Sequence, residues 1–204
     1  MTWIPFVFAA MVGFNHAFEA DHVLAVGNIA NKRPSIWMAV KDGIFWGLGH
    51  TSMIFLVGVF IILGKLFLLE EVEFEFFEVF VGISMVALGI YRVTKYQKSN
   101  DHSHTPKDAN FRVAYSVGLI HGLAGSGTVI LLAMSEIKSN VEGIIYLLIF
   151  GIGSIVGMMV VAGVFTLPYL KSIQSGGAFH KVLVWISAGL CLGYGVWMIV
   201  SYFQ

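Results

Sequence analysis

The chain has 204 residues, of which 57% are hydrophobic and only 12% are charged, and its mean hydropathy is +0.82. Soluble domains are about half apolar and about a quarter charged, so this composition excludes a soluble globular enzyme, a disordered chain and a disulfide-stapled secreted domain. The formal net charge of zero argues against a nucleic-acid partner. The sequence therefore predicts an all-α integral membrane protein that is embedded in the lipid bilayer.

Six stretches are long and apolar enough to cross a bilayer, which takes about 20 residues for each helix. In chain order they cover residues 3–30, 43–66, 76–94, 113–136, 143–168 and 182–203. Together they use most of the chain, so the connections leave no room for a folded soluble domain. A GxxxxGK[ST] loop for ATP is also absent from the sequence. We therefore expect a single transmembrane domain over residues 1–204.

The Lys and Arg residues are distributed unevenly between the two sides of these six predicted spans. The first, third and fifth connections carry ten of them, whereas the opposite side carries two. The ten are Lys32, Arg33, Lys41, Arg92, Lys95, Lys98, Lys107, Arg112, Lys171 and Lys181, and the two are Lys65 and Lys138. Because cytoplasmic loops are rich in Lys and Arg, we place the odd-numbered connections in a bacterial cytoplasm. Both termini are then predicted to be extracytoplasmic.

The first predicted span holds an unusual concentration of polar side chains, namely Asn15, His16, Glu19, Asp21 and His22. Ionisable groups at membrane depth are costly and are functional candidates by default. Several titratable groups are not buried cheaply without a purpose. Imidazoles combined with carboxylates suit divalent first-row metals such as Ni²⁺, Co²⁺ or Zn²⁺. We therefore predict a metal site in this span.

The spacing within this span leaves two arrangements open. In a continuous helix His16 and His22 lie about 120° apart and about 9 Å along the axis, so a single ion cannot contact both. Asn15, Glu19 and His22 would instead share one face. Either the helix is unwound within residues 13–22, with Gly13 as the break, which we favour, or the two histidines are successive stops for an ion. Glu19 is either a partner that orients a His ligand or a proton acceptor.

Two further histidines, His50 and His121, fall near the middle of the second and fourth predicted spans. Taken singly, each is as well explained by a hydrogen-bonded contact between helices as by a role as a metal ligand. Glycines accompany both histidines, and we expect them to permit close helix packing rather than to line a path with their carbonyls. These glycines are Gly47, Gly49, Gly122, Gly125 and Gly127.

The two halves of the chain resemble each other at an offset of about 104 residues. Residues 13–26 align with 118–131, 45–53 with 149–157, and 82–91 with 185–194. The first alignment pairs His16 with His121. We predict a repeat over about 1–98 and another over about 113–204, joined by a loop at about 95–112. With three spans each, the repeats enter the membrane with opposite polarity, which is the 3+3 inverted topology of many secondary transporters. Such proteins bind substrate near the midplane.

Two polar stretches lie between the predicted spans. The sequence EEVEFEFFE at 70–78 either concentrates cations by its electrostatic field or is a solvated cap on a span. The cytoplasmic sequence at 100–108 contains Asp101, His102 and His104, and short His-rich tracts can bind metals. We favour a simple linker for this second stretch.

Three motifs resemble the nickel/cobalt transporter family. HAFEADH at 16–22 fits that family's pattern of His, four residues, then Asp-His, and LGHTSMIF at 48–55 resembles its second conserved stretch. HGLAGSG at 121–127 resembles the shorter six-span, urease-accessory-type branch. The resemblance implies selective passage of Ni²⁺ or Co²⁺, with His16, Asp21 and His22 essential and a role for His50. It also implies a cytoplasmic metallochaperone or urease-maturation proteins as partners.

We therefore predict a secondary permease that moves nickel, with cobalt as the alternative, into the cell. The transported ion is its only expected metal, and we expect no prosthetic group. The chain departs from longer family members, which have eight spans and acidic motifs in their second half. Three alternatives remain: export or transport of another divalent metal, an intramembrane zinc enzyme with Glu19 as base, and a subunit of a larger transport complex. The sequence contains no HExxH motif, the usual zinc site of metalloproteases, which counts against the enzyme.

Overall fold

The protein is all-helical in a computed structural model that describes residues 3–30, 33–64, 76–99, 111–136, 139–175 and 177–204. The helices are α1 (Ile4–His16), α2 (Ala20–Ala30), α3 (Ile36–Gly64), α4 (Phe76–Ser99), α5 (Arg112–Glu136), α6 (Asn140–Ser175) and α7 (Gly177–Tyr202). The acidic residues at 70–75 and the predicted loop with Asp101, His102 and His104 lie outside the described residues.

Four of these helices are long and apolar enough to cross a membrane. They are Ile36–Leu63, Phe76–Tyr96, Asn140–Ser172 and Ala178–Tyr202. Large apolar side chains such as Leu56, Phe60 and Ile152 point outward, whereas polar side chains such as His50 and Ser154 are buried. An apolar exterior around a polar interior suits a protein surrounded by lipid. The chain is therefore an α-helical membrane protein.

The other two predicted spans look different from these four. Residues 3–30 form the 13-residue α1 and the 11-residue α2, and neither helix is long enough to cross a membrane by itself. Helix α5 has 25 residues, but its side chains are described only as far as Ala124. The observed helices otherwise follow the predicted stretches, with ends that differ by up to seven residues, as at the start of α3 and the end of α6.

The predicted break in the first span is present, but it lies at residues 17–19 and not at Gly13. The amide of Phe18 donates to the carbonyl of Asn15, and the amide of Glu19 donates to the carbonyl of His16. These short-range bonds end α1 in a turn. Gly13 lies inside α1, where an added Cβ would collide with the carbonyl oxygen of Phe150 on α6. Assigning the break to Gly13 was wrong because this glycine serves close helix packing instead.

The break moves the chain from the outside of the bundle to its centre. Helix α1 packs along α6, whereas α2 contacts α3, α4, α5, α6 and α7. All six residues at 25–30 are buried. Around α2, α3 packs against α5 and α6, and α4 packs against α7. The first turn of α2 consequently lies among helices from both halves of the chain.

Close packing also explains three of the glycines near the histidines. An added Cβ on Gly47 would meet Ile155, one on Gly49 would meet the carbonyl of Tyr115, and one on Gly122 would meet the carbonyl of His50. The expectation that these glycines permit helix contact is therefore confirmed. The surroundings of Gly125 and Gly127 lie outside the described part of α5.

Candidate metal centre

Three imidazole rings converge where α1, α2 and α3 meet. His16 ends α1, His22 lies in the first turn of α2, and His50 lies near the middle of α3. The ring centroid of His16 lies 4.5 Å from that of His22 and 5.1 Å from that of His50, and the last two are 5.0 Å apart. One nitrogen from each ring lies within 4.8 Å of the other two. One ion placed between the rings can therefore contact all three.

Two carboxylates hold the first two rings in place. Glu19 Oε1 lies 2.8 Å from His16 Nδ1, and Asp21 Oδ1 lies 2.9 Å from His22 Nδ1. An ionised carboxylate only accepts, so each Nδ1–H donates and each Nε2 keeps a free lone pair. Both Nε2 atoms are buried without a hydrogen-bond partner. Carboxylates orient metal-binding histidines in this way.

His50 and His121 extend the cluster across the bundle. His50 is fully buried, and neither of its ring nitrogens has a partner. His121 Nδ1 donates to the carbonyl of Val117 at 3.0 Å, which leaves Nε2 buried and unpartnered. Its ring centroid lies 5.7 Å from that of His22, so His121 borders the group of three. Several unsatisfied nitrogens facing one another cost free energy unless a guest binds between them.

Glu19, Asp21 and His22 form a second group whose possible ligand atoms lie within 4.8 Å of one another. Asp21 is mostly covered, with 16% of its side chain exposed, whereas Glu19 is 58% exposed. The contact of Glu19 with His16 is the one expected of a carboxylate that orients a ligand. Asn15, the remaining predicted site residue of this span, is exposed.

A cavity of about 510 Å³ leads to the histidines. Asn15, His16 and His22 lie in its wall, together with three acids: Glu19, Asp21 and Glu78. The remaining lining residues are Val12, Val81, Ala124, Phe150, Tyr194, Trp197 and Met198. Glu78 lies in the first turn of α4, whereas Tyr194, Trp197 and Met198 lie near the end of α7. The described lining contains acids but no Lys or Arg, so its field attracts cations.

The sequence analysis missed two aromatic neighbours of the histidines. The ring of Trp46 lies 5.0 Å from that of His121 and 6.0 Å from that of His22. The ring of Phe150 lies 5.6 Å from that of His16. The sequence could have indicated Trp46, because it lies four positions before His50 and therefore on the same face of the helix. The repeat then points to Phe150, which aligns with Trp46.

The opposite end of α2 is tied to its neighbours. Arg33 binds Asp42 of α3 through two hydrogen bonds of 2.5 and 2.6 Å, which raise the pKa of Arg33. Its guanidinium also lies 5.0 Å over the ring of Phe111, which stacks on Phe45 of α3. These contacts join α2, α3 and the start of α5 on the side away from the cavity.

Comparison with known proteins identifies similar chains along most of this sequence. It is 34% identical over 199 residues to the urease accessory protein UreH of Bacillus sp. (strain TB-90), which covers 90% of this chain and 87% of the relative. It is 30% identical over 156 residues to a protein of Methanocaldococcus jannaschii named as a nickel/cobalt efflux system, covering 71% and 68%. A 59-residue stretch is 36% identical to the nickel transporter NixA of Staphylococcus aureus, covering 27% and 17%. No protein-family model and no solved structure matches the chain.

Proposed function

The chain belongs to the nickel/cobalt transporter family, in its UreH-type branch, and on that basis we propose that it is a secondary permease for Ni²⁺, with Co²⁺ as the alternative cargo. One observation carries this proposal. Three imidazoles, two of them fully buried, offer nitrogens within 4.8 Å of one another, and the Nε2 atoms of His16 and His22 are buried without a hydrogen-bond partner. Imidazole ligands suit nickel and cobalt better than they suit hard cations such as Mg²⁺ or Ca²⁺.

In this proposal His16, His22 and His50 bind the ion directly. Asp21 and Glu19 orient two of these rings and reduce the cost of bringing a dication into the bundle. His121 provides the next imidazole, and Asn15 provides an amide oxygen on the way in through the cavity. Such a site replaces only part of the ion's water shell, and incomplete coordination allows the cargo to leave again. The metal is a substrate here and not a resident cofactor.

We also propose that the chain crosses the membrane six times as two inverted repeats, 1–98 and 113–204, forming one domain. Four contacts of glycines with carbonyl oxygens support this arrangement. They are Gly13 with Phe150, Gly118 with Trp46, Gly49 with Tyr115, and Gly153 with Ala10. In the first two contacts each residue is replaced by its counterpart 104 or 105 positions away in the other half of the chain. The same is true of the last two contacts. Paired contacts of this kind arise when two similar halves are related by a two-fold axis.

The proposed direction is inward across a bacterial cytoplasmic membrane, with both termini outside. The cavity is lined by the start of α4 and the end of α7, which the distribution of Lys and Arg predicts to be outside. The contacts of Arg33 with Asp42 join the end of α2 to α3 on the predicted cytoplasmic side. A membrane potential supplies about 2.3 kcal/mol per charge per 100 mV, or about 4.6 kcal/mol for a dication. That corresponds to more than a thousandfold accumulation without ATP.

Within the cell, a metallochaperone or urease-maturation proteins would receive the metal. The name of the UreH relative favours a urease context. The relatives are named as transporters or as an accessory protein, which favours a non-enzymatic role for this chain. The relative named as an efflux system favours the opposite direction as the second candidate function.

Uptake into liposomes that contain only the purified protein tests the proposal. Under an inside-negative potential we expect entry of Ni²⁺ and Co²⁺ in preference to Mn²⁺, with Zn²⁺ as a further comparison. His16→Ala and His22→Ala should abolish this uptake. His180→Ala is the matched control, because it removes an imidazole at the other end of the bundle. Folded protein that binds nickel but transports no metal would contradict an autonomous permease and favour a subunit of a complex.

The direction is tested in cells, where the physiological gradients are present. Bacterial cells that produce the protein should contain more nickel than cells that produce His22→Ala. Lower nickel content than in the variant would instead indicate export. Both proteins are produced at equal levels, so a difference in nickel content does not come from overproduction of a membrane protein.

A further inference from the structure

A buried arginine at the end of the molecule opposite the cavity has no charged partner in the described part of the chain. Arg92 of α4 is only 5% exposed, and its Nε donates no hydrogen bond. Its guanidinium lies 5.5 Å above the ring of Tyr169 on α6. A cation–π contact offsets only part of the cost of burying a charge. The guanidinium therefore lacks the anion that such a position requires.

The polar side chains around Arg92 use their hydrogen bonds among themselves. Ser172 Oγ donates to the carbonyl of Tyr169 at 2.7 Å, so it accepts from His180 Nδ1 at 2.9 Å. The hydroxyl of Tyr169 donates to the carbonyl of Leu183 at 3.1 Å. These bonds join α6 to α7 and fix the wall that faces the guanidinium. The wall is preorganised, and it supplies no carboxylate.

The surrounding helix ends carry only positive charge. Residues 91–99, 168–175 and 177–183 contain Lys95, Lys98, Lys171 and Lys181 but no Asp or Glu. Arg92 precedes the end of α4 by seven residues, or about 10 Å along the helix. The apolar span of α4 runs from Phe76 to Tyr96, so Arg92 lies four residues before its end, close to the depth at which lipid phosphate groups begin. A phosphate oxygen can therefore reach the guanidinium.

We propose that Arg92 binds a phosphate group at this end of the bundle, with the surrounding lysines attracting it. Guanidinium forms short, paired hydrogen bonds with phosphate oxygens, whereas the ammonium groups of lysine act as point charges. The phosphate belongs either to an anionic phospholipid of the adjacent leaflet or to a soluble phosphate. This site is separate from the histidine cluster, and it does not depend on the proposed transport function.

Thermal unfolding of the purified full-length protein tests the site. The protein in phosphatidylcholine nanodiscs is compared across increasing phosphatidylglycerol content, and separately across inorganic phosphate concentrations. We expect one of these series to raise the unfolding midpoint in a saturable manner. Arg92→Gln should weaken that dependence at least about tenfold. Lys95→Gln is the matched comparison, because it removes one surrounding charge from the same helix at an exposed position and should weaken the dependence much less than Arg92→Gln.

The two series distinguish the sources of the phosphate. Stabilisation by phosphatidylglycerol alone assigns the site to a lipid headgroup, and stabilisation by inorganic phosphate assigns it to a soluble anion. Equal responses of the wild-type and Arg92→Gln proteins would overturn the proposal. Should Arg92→Gln not fold, Arg92→Lys keeps the charge and is still expected to lose most of the affinity. A response of Arg92→Lys equal to that of the wild type would overturn the proposal. Native mass spectra of the wild type that show neither bound phospholipid nor bound phosphate would also overturn it.

Discussion

Helices α1 and α2 differ from α5, the helix that aligns with them, in one decisive feature. The first pair is interrupted at residues 17–19, whereas α5 continues from Arg112 to Glu136. The interruption brings two histidines six positions apart to a ring separation of 4.5 Å. In α5 the single His121 donates back to Val117 of its own helix. A break in a helix can therefore build a site that the same residues in a continuous helix would not form.

The same contrast occurs one helix further along in each half. His50 on α3 aligns with Ser154 on α6. Ser154 donates to the carbonyl of Gly13 at 3.1 Å, so its polar group is satisfied within the protein. Both nitrogens of His50 remain without a partner. At this aligned pair the first half thus keeps buried polar atoms available for a guest, whereas the second half uses its polar atom to hold helices together.

The largest expected effect comes from removing the histidine at the centre of the interrupted half. His22 lies next to His16, His50 and His121, so His22→Ala removes the imidazole that all three share. We expect nickel affinity to fall by about 100-fold or more in a calorimetric titration, because a direct ligand is lost. His121→Ala should cost less. A larger loss in His121→Ala would contradict the assigned difference between the halves.

The orienting carboxylates should show the next largest effect. Asp21→Asn keeps the shape of the side chain but removes its charge, and we expect about 10- to 100-fold weaker nickel binding. Glu19→Gln should cost less than about tenfold, because Glu19 is more exposed and its field is screened by water. Nickel titrations of both variants measure the difference. Equal losses of nickel affinity would show that the difference in burial does not set how much each carboxylate contributes to binding.

Acidification should weaken nickel binding through competition between protons and metal. A protonated imidazole has no free lone pair on its ring nitrogens and binds metal only after it loses a proton. Lowering the pH from 8 to 5.5 should therefore reduce nickel affinity. Nickel titrations at several pH values measure the slope. Binding that stays constant over this range would count against proton competition at the ligands.

The aligned pair His50 and Ser154 should separate metal binding from stability. Ser154→Ala leaves the carbonyl of Gly13 without its donor, so we expect stability to fall by about 1 kcal/mol with nickel affinity unchanged. His50→Leu removes two unpartnered nitrogens, so the metal-free protein should keep its stability while nickel affinity falls. Thermal unfolding and nickel titration of each variant provide the comparison. Parallel changes in both quantities would contradict the separate roles.

Much of this molecule follows from short-range properties of the sequence. Apolar stretches of about 20 residues predict helices, and the observed helices agree with them to within a few residues at most ends. Ionisable residues inside such stretches stand out because they are costly there, which is why His16, Asp21, His22, His50 and His121 could be named without coordinates. The incompatibility of His16 and His22 with one continuous helix also predicted a break.

The tertiary structure decided where the break lies and which side chains meet. Gly13 was a plausible break, because glycine weakens a helix, but glycine also permits close helix contact, and only the position of α6 distinguishes these uses. The approach of His50 to His16 and His22, the aromatic neighbours Trp46 and Phe150, and the cavity beside α7 all depend on packing between distant segments. Periodicity along one helix contains no information about its partner. The sequence by itself determined the helices and the candidate ligands, and long-range packing determined the site.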